Sequence, residues 1–157
     1  MKRRIVENIA RQLQALKVLK ALQLEEFAHL SEFRPQSVSA VEFSIQELVR
    51  QIHAERVDAK RMIPQIRPGA ARIAELREDF GENWPAVEGL LAQVDALEQF
   101  CAKQAEKSYR LALALFDQSG GYIDFFKQKL VPEKGTYGPR GLMGKAKPRP
   151  AVVRGAL

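Results

Sequence analysis

The residues that could do chemistry are few and widely spaced. His29 and His53 stand alone, and neither belongs to a His-Glu-x-x-His or Cys-x-x-Cys spacing that would hold a metal ion. The single cysteine, Cys101, lies in an apolar pattern without an activating base, which is typical of a small core residue. Glu25 and Glu26 are interpreted as part of a solvated helix face. Because catalysis needs converging groups, the sequence favours a protein that is not an enzyme and holds no cofactor and no metal.

These residues lie on segments whose periodicity predicts helices. Residues 1–33 contain no Pro and no Gly, and Arg34-Pro35 should end a first helix there because a residue before proline avoids the α region. Apolar residues recur at helical spacing through this segment: Ile5, Ile9, Leu13, Leu16, Leu24, Phe27 and Leu30, with Val18, Leu19 and Leu22 widening the stripe. The segment predicts one helix about 45 Å long, at roughly 1.5 Å per residue.

The second segment has the most regular apolar pattern, a seam of alternating three- and four-residue steps over residues 38–66 that only Glu55 interrupts. Pro35 suits its first turn, while Pro64 and Pro68-Gly69 should close it. Such a seam packs against another helix at a shallow angle. It leaves open an alternative function, a structural coiled-coil protein that assembles through its own seam, and with it a homodimer.

A short helix from Ala70 to about Asp79 should follow, and then a third long helix that opens at Pro85. Its apolar face is interrupted by Gln104, Ser108 and Gln118. Gly120 and Gly121 predict a kink, after which residues 122–130 resume as a short amphipathic helix. With no strand pattern elsewhere, we expect an all-α, elongated antiparallel helical bundle of coiled-coil type, with three long helices and one short helix.

The net charge of +6 is concentrated at the C-terminus. Residues 132–157 hold six cations, one anion, four Pro and five Gly, a composition that predicts a disordered basic tail. We therefore expect a helical domain at 1–131 and a flexible tail at 132–157. The tail admits a nucleic-acid-binding alternative, but it offers a single aromatic, Tyr137, for base stacking. Nucleic acid is not the expected partner, and the charge suits steering toward an acidic protein surface.

Other features of the sequence indicate where in the cell the protein is located. The longest wholly apolar run has six residues, far short of the roughly 20 that a membrane-spanning helix needs, so no membrane insertion is expected. Polar residues follow the basic N-terminus before any signal-type apolar stretch can form. One cysteine excludes an internal disulfide. A cytoplasmic protein is the simplest interpretation.

Two stretches near the C-terminus could bind a partner. The first is an apolar stripe within 111–131 that could dock on a partner helix or could simply end a bundle helix. The second is a short tract, 136–141, in which a lone tyrosine lies among Gly and Pro. Their candidate binding residues are Leu111, Leu115, Phe116, Tyr122, Phe125, Phe126 and Leu130 in the stripe, and Tyr137, Gly138, Pro139 and Gly141 in the tract.

This arrangement resembles the FlgN family of flagellar type III export chaperones. The Glu-rich stretch at 24–30 is similar to the family's opening helix, and the seam at 38–63 looks like its second long helix. The strongest likeness runs from 111 to 141, where a long helix and a linker precede a Tyr-x-Pro-x-Gly-like tract. Arg140 departs from that pattern, since an acidic or small residue is expected there, and the tail beyond Gly141 is more basic than in the family.

The resemblance implies a cytoplasmic chaperone without enzymatic activity. Its clients would be the hook–filament junction proteins, FlgK and FlgL, which it would keep from premature assembly and deliver to the export gate. The resemblance assigns client capture to the stripe within 111–131. It assigns docking on the cytoplasmic domain of the gate protein FlhA, alongside other components of the export apparatus, to the tract that contains Tyr137.

Overall fold

The computed structural model of the protein describes residues 1–118, which form helices joined by short turns. The elements are α1 (Lys2–Ser31), α2 (Pro35–Ile66), α3 (Arg77–Phe80) and α4 (Trp84–Gln118), with 3₁₀ turns at Ile73–Leu76 and Gly81–Asn83. Residues 1–118 contain no strand, so the prediction of an all-α fold with three long helices is confirmed. The predicted break at Gly120-Gly121 and the tail at 132–157 lie outside the described residues.

Proline and glycine set the ends of the helices. Pro35 occupies the first turn of α2, where its missing N–H is not needed, as predicted. The connection from α1 is so short that Phe33 adopts a left-handed φ of 55°. Pro64 lies in the last turn of α2, and the Arg67 N–H closes that turn by donating to the Ile63 carbonyl at 3.2 Å.

The segment between α2 and α4 is less helical than the sequence suggested. Instead of one helix from Ala70 to about Asp79, it contains a 3₁₀ turn and the single α turn of α3. Gly69 and Gly81 flank this stretch with positive φ values of 89° and 55°, which glycine adopts without strain. The segment closes one end of the bundle because Leu76 and Phe80 are buried there, with the Phe80 ring 6.2 Å from Trp84.

The three long helices run up, down and up. The tight connection makes α1 and α2 antiparallel, and α1 packs against both α2 and α4. Two contacts show that α4 runs parallel to α1. At one end of the bundle Lys2 Nζ donates to the carbonyl of Asp79, and in the middle Gln23 Nε2 donates to the carbonyl of Cys101 at 3.1 Å. The bundle is therefore antiparallel between neighbours in sequence, as expected.

The main core fills the half of the bundle nearest the α3 turn. Its buried residues are Ile5, Ile9, Leu13, Leu16, Leu19, Val41, Ile45, Ile52, Met62, Ile63, Ala70, Ile73, Leu76, Phe80, Trp84, Val87, Val94 and Cys101. The α1 stripe was placed wrongly at two positions, because Val18 and Leu24 are 51% and 44% exposed, whereas Gln23 is buried at 2% exposure. Gln23 lies four residues after Leu19 and so keeps the core face, whereas Leu24 is rotated away from it.

Polar contacts fix the register between helices. Glu55, the one break in the α2 seam, accepts hydrogen bonds from Arg11 at 2.7 Å and, through its backbone carbonyl, from Asn8 at 2.9 Å. The guanidinium of Arg56 on α2 pairs with the carboxylate of Glu98 on α4, and both side chains are almost fully buried. These contacts join α1 to α2 and α2 to α4.

Candidate functional site

The residues with reactive side chains occupy structural positions in the described part of the chain. Cys101 is buried in the main core, and burial raises the pKa of its thiol to about 11, so the thiolate is disfavoured. His29 lies 3.4 Å from the Glu25 carboxylate, and His53 is exposed. Within residues 1–118 no three His, Cys, Asp or Glu side chains converge to hold a metal ion. The same residues include no helix long and apolar enough to cross a membrane.

The predicted client stripe begins inside the bundle. Leu111 and Leu115 lie on α4, where Leu115 is only 5% exposed and Leu111 is half-buried beside it. Phe116 also belongs to α4. The other predicted binding residues, Tyr122, Phe125, Phe126 and Leu130 in the stripe and Tyr137, Gly138, Pro139 and Gly141 in the tract, lie outside the described residues. The structure therefore brings Leu111 and Leu115 together, but it does so in a packed cluster.

That cluster forms a second, small core at the end of the bundle opposite α3. Its four buried members are Leu30 of α1, Val38 of α2, and Ala112 and Leu115 of α4. We call it the distal cluster. Leu111 packs against its side, so the first two residues of the predicted stripe contribute to the packing of three helices.

A polar layer lies near the boundary between the main core and the distal cluster. Its four members are buried: Gln23 of α1, Glu42 of α2, which stands between the main-core residues Val41 and Ile45, and Gln104 and Ser108 of α4. In the sequence Gln104 and Ser108 appeared only as interruptions of the α4 apolar face. Because α1 and α2 also bury polar residues near this boundary, the interruptions of α4 are not isolated.

The polar layer is incompletely hydrogen-bonded. Gln23 donates to the carbonyl of Cys101, and Gln46 Nε2 donates to Glu42 at 3.0 Å. The side-chain oxygens of Gln23 and Ser108 have no hydrogen-bond partner among residues 1–118. A buried polar atom without a partner costs about 1–3 kcal/mol relative to its solvated state. Gln12, Arg56 and Trp84 in the main-core half also carry such atoms, so this cost is not confined to the layer.

Beside this layer two carboxyl groups face each other across α1 and α2. Glu26 was predicted to lie on a solvated face, but it is half-buried and lies close to Glu42. Burial and then the adjacent Glu42 charge raise the pKa of Glu26 to about 8. The prediction was wrong because Glu26 lies beside the buried Glu42 of the next helix, a contact between helices that the α1 pattern does not show.

Stability should depend on pH through Glu26. Its carboxyl keeps a proton in the folded state up to about pH 8, whereas the unfolded chain loses that proton near pH 4.5. The free energy of unfolding should therefore fall as pH rises between these values. In Glu26→Gln this loss should disappear, which makes the variant more stable than the wild type by roughly 3 kcal/mol at pH 8.

Urea unfolding at pH 5, 6.5 and 8 measures this difference. Glu88→Gln is the matched control because Glu88 is an exposed glutamate on α4. Equal pH dependence in the Glu26 variant, the Glu88 variant and the wild type would show that Glu26 titrates normally.

An apolar groove on the outside of α1 and α2 was not expected from the sequence. Val18 and Leu22 line it from α1, and Phe43 and Leu48 line it from α2. Phe43 is 78% exposed, the largest exposure among the big apolar side chains of residues 1–118. Because Phe43 falls off the α2 seam, the periodicity that found the core gave no reason to single it out.

The family comparison matches this chain over its described helices and beyond them. The model of the family described as "FlgN protein" matches residues 1–145, which is most of the chain. The chain belongs to the FlgN family. No curated protein and no solved structure matched it.

FlgN proteins are flagellar export chaperones, and membership assigns that general role to this chain. The family is associated with binding of flagellar hook-associated proteins and is not known to be enzymatic. The match also extends past α4 through the predicted stripe and the Tyr137 tract, so both candidate sites lie inside the region that is FlgN-like.

Proposed function

We propose that this FlgN protein captures the hook–filament junction proteins, FlgK and FlgL, in the cytoplasm and delivers them to the export gate. The observation that carries this proposal is the family match to residues 1–145, which includes both predicted binding segments. In this proposal the stripe with Leu111, Leu115, Phe116, Tyr122, Phe125, Phe126 and Leu130 covers an amphipathic client segment. Covering that segment would prevent premature assembly of the client.

The described bundle supports a division between a folded body and a capture segment. Residues 1–118 contain the main core and the distal cluster, so a chain that ends at Gln118 retains every packing contact described above. A cut at residue 110 would instead remove Ala112 and Leu115 from the distal cluster. Truncation after Gln118 therefore removes the part of the stripe that follows α4, from Tyr122 to Leu130, and keeps the packing of Leu111 and Leu115.

A pull-down from an extract of flagellated cells tests the capture role. The full chain should retain the junction proteins, identified by mass spectrometry, and the chain that ends at Gln118 should retain far less of them. Equal recovery by both chains would place client capture elsewhere on the molecule. Recovery of nucleic acid with the full chain would favour the tail-binding alternative.

The self-assembling coiled-coil alternative loses its motivation. The α2 seam that suggested it is used inside the bundle, where Val38, Val41, Ile45 and Ile52 are at most 8% exposed. The seam packs inside the bundle except near Leu48, which also lines the open groove between α1 and α2, so little of its apolar surface is left for a second copy. Sedimentation at micromolar concentration would revive the alternative if it found a stable, elongated dimer without client.

Tyr137 is proposed as the anchor on the cytoplasmic domain of FlhA, with Gly138, Pro139 and Gly141 shaping the tract around it. Tyr137→Ala should weaken binding to that domain by roughly 10-fold or more, since aromatic anchors carry much of the energy of small interfaces. Client binding should be unchanged because the tract lies beyond the stripe.

Biolayer interferometry with the immobilised FlhA domain measures the affinity. Met143→Ala, just outside the tract, serves as the control variant. Equal affinity of the wild type and the Tyr137 variant for FlhA would refute this assignment.

A further inference from the structure

We propose that the outer face of α2 is the contact surface for a second copy of this chain, in a dimer whose two α2 helices lie antiparallel. This face is separate from the α2 seam, whose residues Val38, Val41, Ile45 and Ile52 are buried in the bundle. The inference goes beyond the proposed capture function and does not depend on it. It involves no residue after Gln118.

The outer face carries a second stripe with helical spacing. At roughly 3.6 residues per turn, Phe43 lies on the opposite side of α2 from the buried Ile52. Further positions follow Phe43 in steps of three and four residues, as they do in a helix-packing seam. The outer stripe consists of Ala40, Phe43, Glu47, Arg50, Ala54 and Val57, none of which is fully buried.

The apolar surface around Phe43 is the first observation that points to a partner. Phe43 is 78% exposed, and Val18, which faces it from α1, is 51% exposed. Both line the groove between the two helices, together with Leu22 and Leu48. An exposed group of large apolar side chains of this kind is typical of an interaction surface, because covering it removes apolar area from water.

The charges at the centre of the outer stripe indicate which partner fits. Arg50 Nη2 lies 2.6 Å from Glu47 Oε1, and the two side chains are 73% and 45% exposed. Consider two copies of α2 that lie antiparallel, about a two-fold axis midway between these residues. Each Glu47 then faces the Arg50 of the other copy, so the dimer contains two complementary ion pairs. A parallel arrangement would instead place like charges opposite each other.

The same two-fold axis places large side chains opposite small ones. Phe43 faces Ala54 of the other copy, and Ala40 faces Val57, so the two helices can approach closely along the whole stripe. The stripe from residue 40 to residue 57 is about 26 Å long, at roughly 1.5 Å per residue. A contact between single helices of this length is small for a specific interface, so the dimer should be weak, with a dissociation constant of roughly 10–100 μM.

Sedimentation equilibrium of the full chain without client, from roughly 5 to 500 μM, measures this association. The wild type should show a reversible monomer–dimer equilibrium. Phe43→Ala should weaken the dimer by roughly 10-fold or more, because it removes the main apolar contact from both copies. A wild type that is monomeric over the whole range, or a Phe43 variant that dimerises as well as the wild type, would overturn the proposal.

Charge exchange tests the antiparallel arrangement itself. Glu47→Arg leaves cations at both central positions and Arg50→Glu leaves anions at both, so each variant alone should dimerise roughly 10-fold more weakly than the wild type. An equimolar mixture of the two variants should recover dimerisation, because both ion pairs re-form between unlike chains. The double variant Glu47→Arg, Arg50→Glu should recover it as well. If neither the mixture nor the double variant recovers, the two α2 helices do not meet in this way.

Glu106→Arg is the matched control. Glu106 pairs with Arg110 on α4, and the side chains are 56% and 75% exposed, similar to those of the α2 pair. The control changes the net charge by the same amount as Glu47→Arg but should leave dimerisation unchanged. An equal loss in the control would show that net charge controls association, and the proposal would fail. It would also fail if the chain stayed monomeric and Phe43→Ala weakened binding of a purified FlgK-type protein instead, because the face would then belong to the client.

Discussion

Replacement of Phe125, Phe126 and Leu130 by serine is expected to abolish measurable binding of the junction proteins. The sequence pattern places these three residues on one face of an amphipathic helix, and buried aromatic anchors typically contribute about 2 kcal/mol or more each to an interface. Their joint loss should weaken binding by roughly 1,000-fold or more. Titration calorimetry with a purified FlgK-type protein measures the change.

The matched control replaces three residues on the opposite face of the same predicted helix, Asp124, Lys127 and Gln128, by serine. This control chain should bind normally. Melting of both chains, followed by circular dichroism, checks that neither set of substitutions unfolds the helices of residues 1–118. If the triple variant and the control chain lose binding equally, the apolar face of the predicted helix is not what contacts the junction protein.

The second prediction concerns the free energy of unfolding and the ion pair between α2 and α4. The Arg56 and Glu98 side chains are 9% and 13% exposed, and their contact leaves little room for water. Burial raises the pKa of Glu98 even though Arg56 opposes that shift, so desolvation outweighs the attraction. Glu98→Ala should lower the free energy of unfolding by about 3–5 kcal/mol, since it leaves the Arg56 guanidinium buried without its partner.

The double variant Arg56→Met, Glu98→Leu separates the cost of an unpaired charge from the value of the pair. Because apolar side chains of similar size can replace a buried pair at little cost, the double variant should be about as stable as the wild type. Urea unfolding followed by circular dichroism compares the three chains. A double variant as unstable as Glu98→Ala would show that the pair itself holds α2 against α4.

Helix positions were predictable because local signals control them. Pro35 and the absence of Pro and Gly in residues 1–33 located the end of α1 and the start of α2. The α2 seam identified the residues that face the core, from Val38 to Ile66. Between α2 and α4 the sequence overestimated the helix, because the glycines with positive φ at 69 and 81 restrict it to short turns.

The candidate site was less predictable because it depends on contacts between helices. Gln104 and Ser108 were visible as interruptions of α4, but the sequence did not show that Gln23 and Glu42 are buried on the neighbouring helices as well. Glu26 appeared to be a surface residue until Glu42 was found beside it. The burial of Leu115 against Leu30 and Val38 follows from the parallel alignment of α4 and α1, which no periodicity specifies.

Titration of a purified FlgK-type junction protein into the full chain and into residues 1–118 tests most directly whether the residues after Gln118 are needed to bind the client. We predict a one-to-one complex with micromolar or tighter affinity for the full chain and at least a 100-fold weaker affinity for the truncated chain. Both chains should have the same far-ultraviolet circular dichroism melting temperature. Equal affinity of the two chains, or no binding by the full chain, would contradict the account.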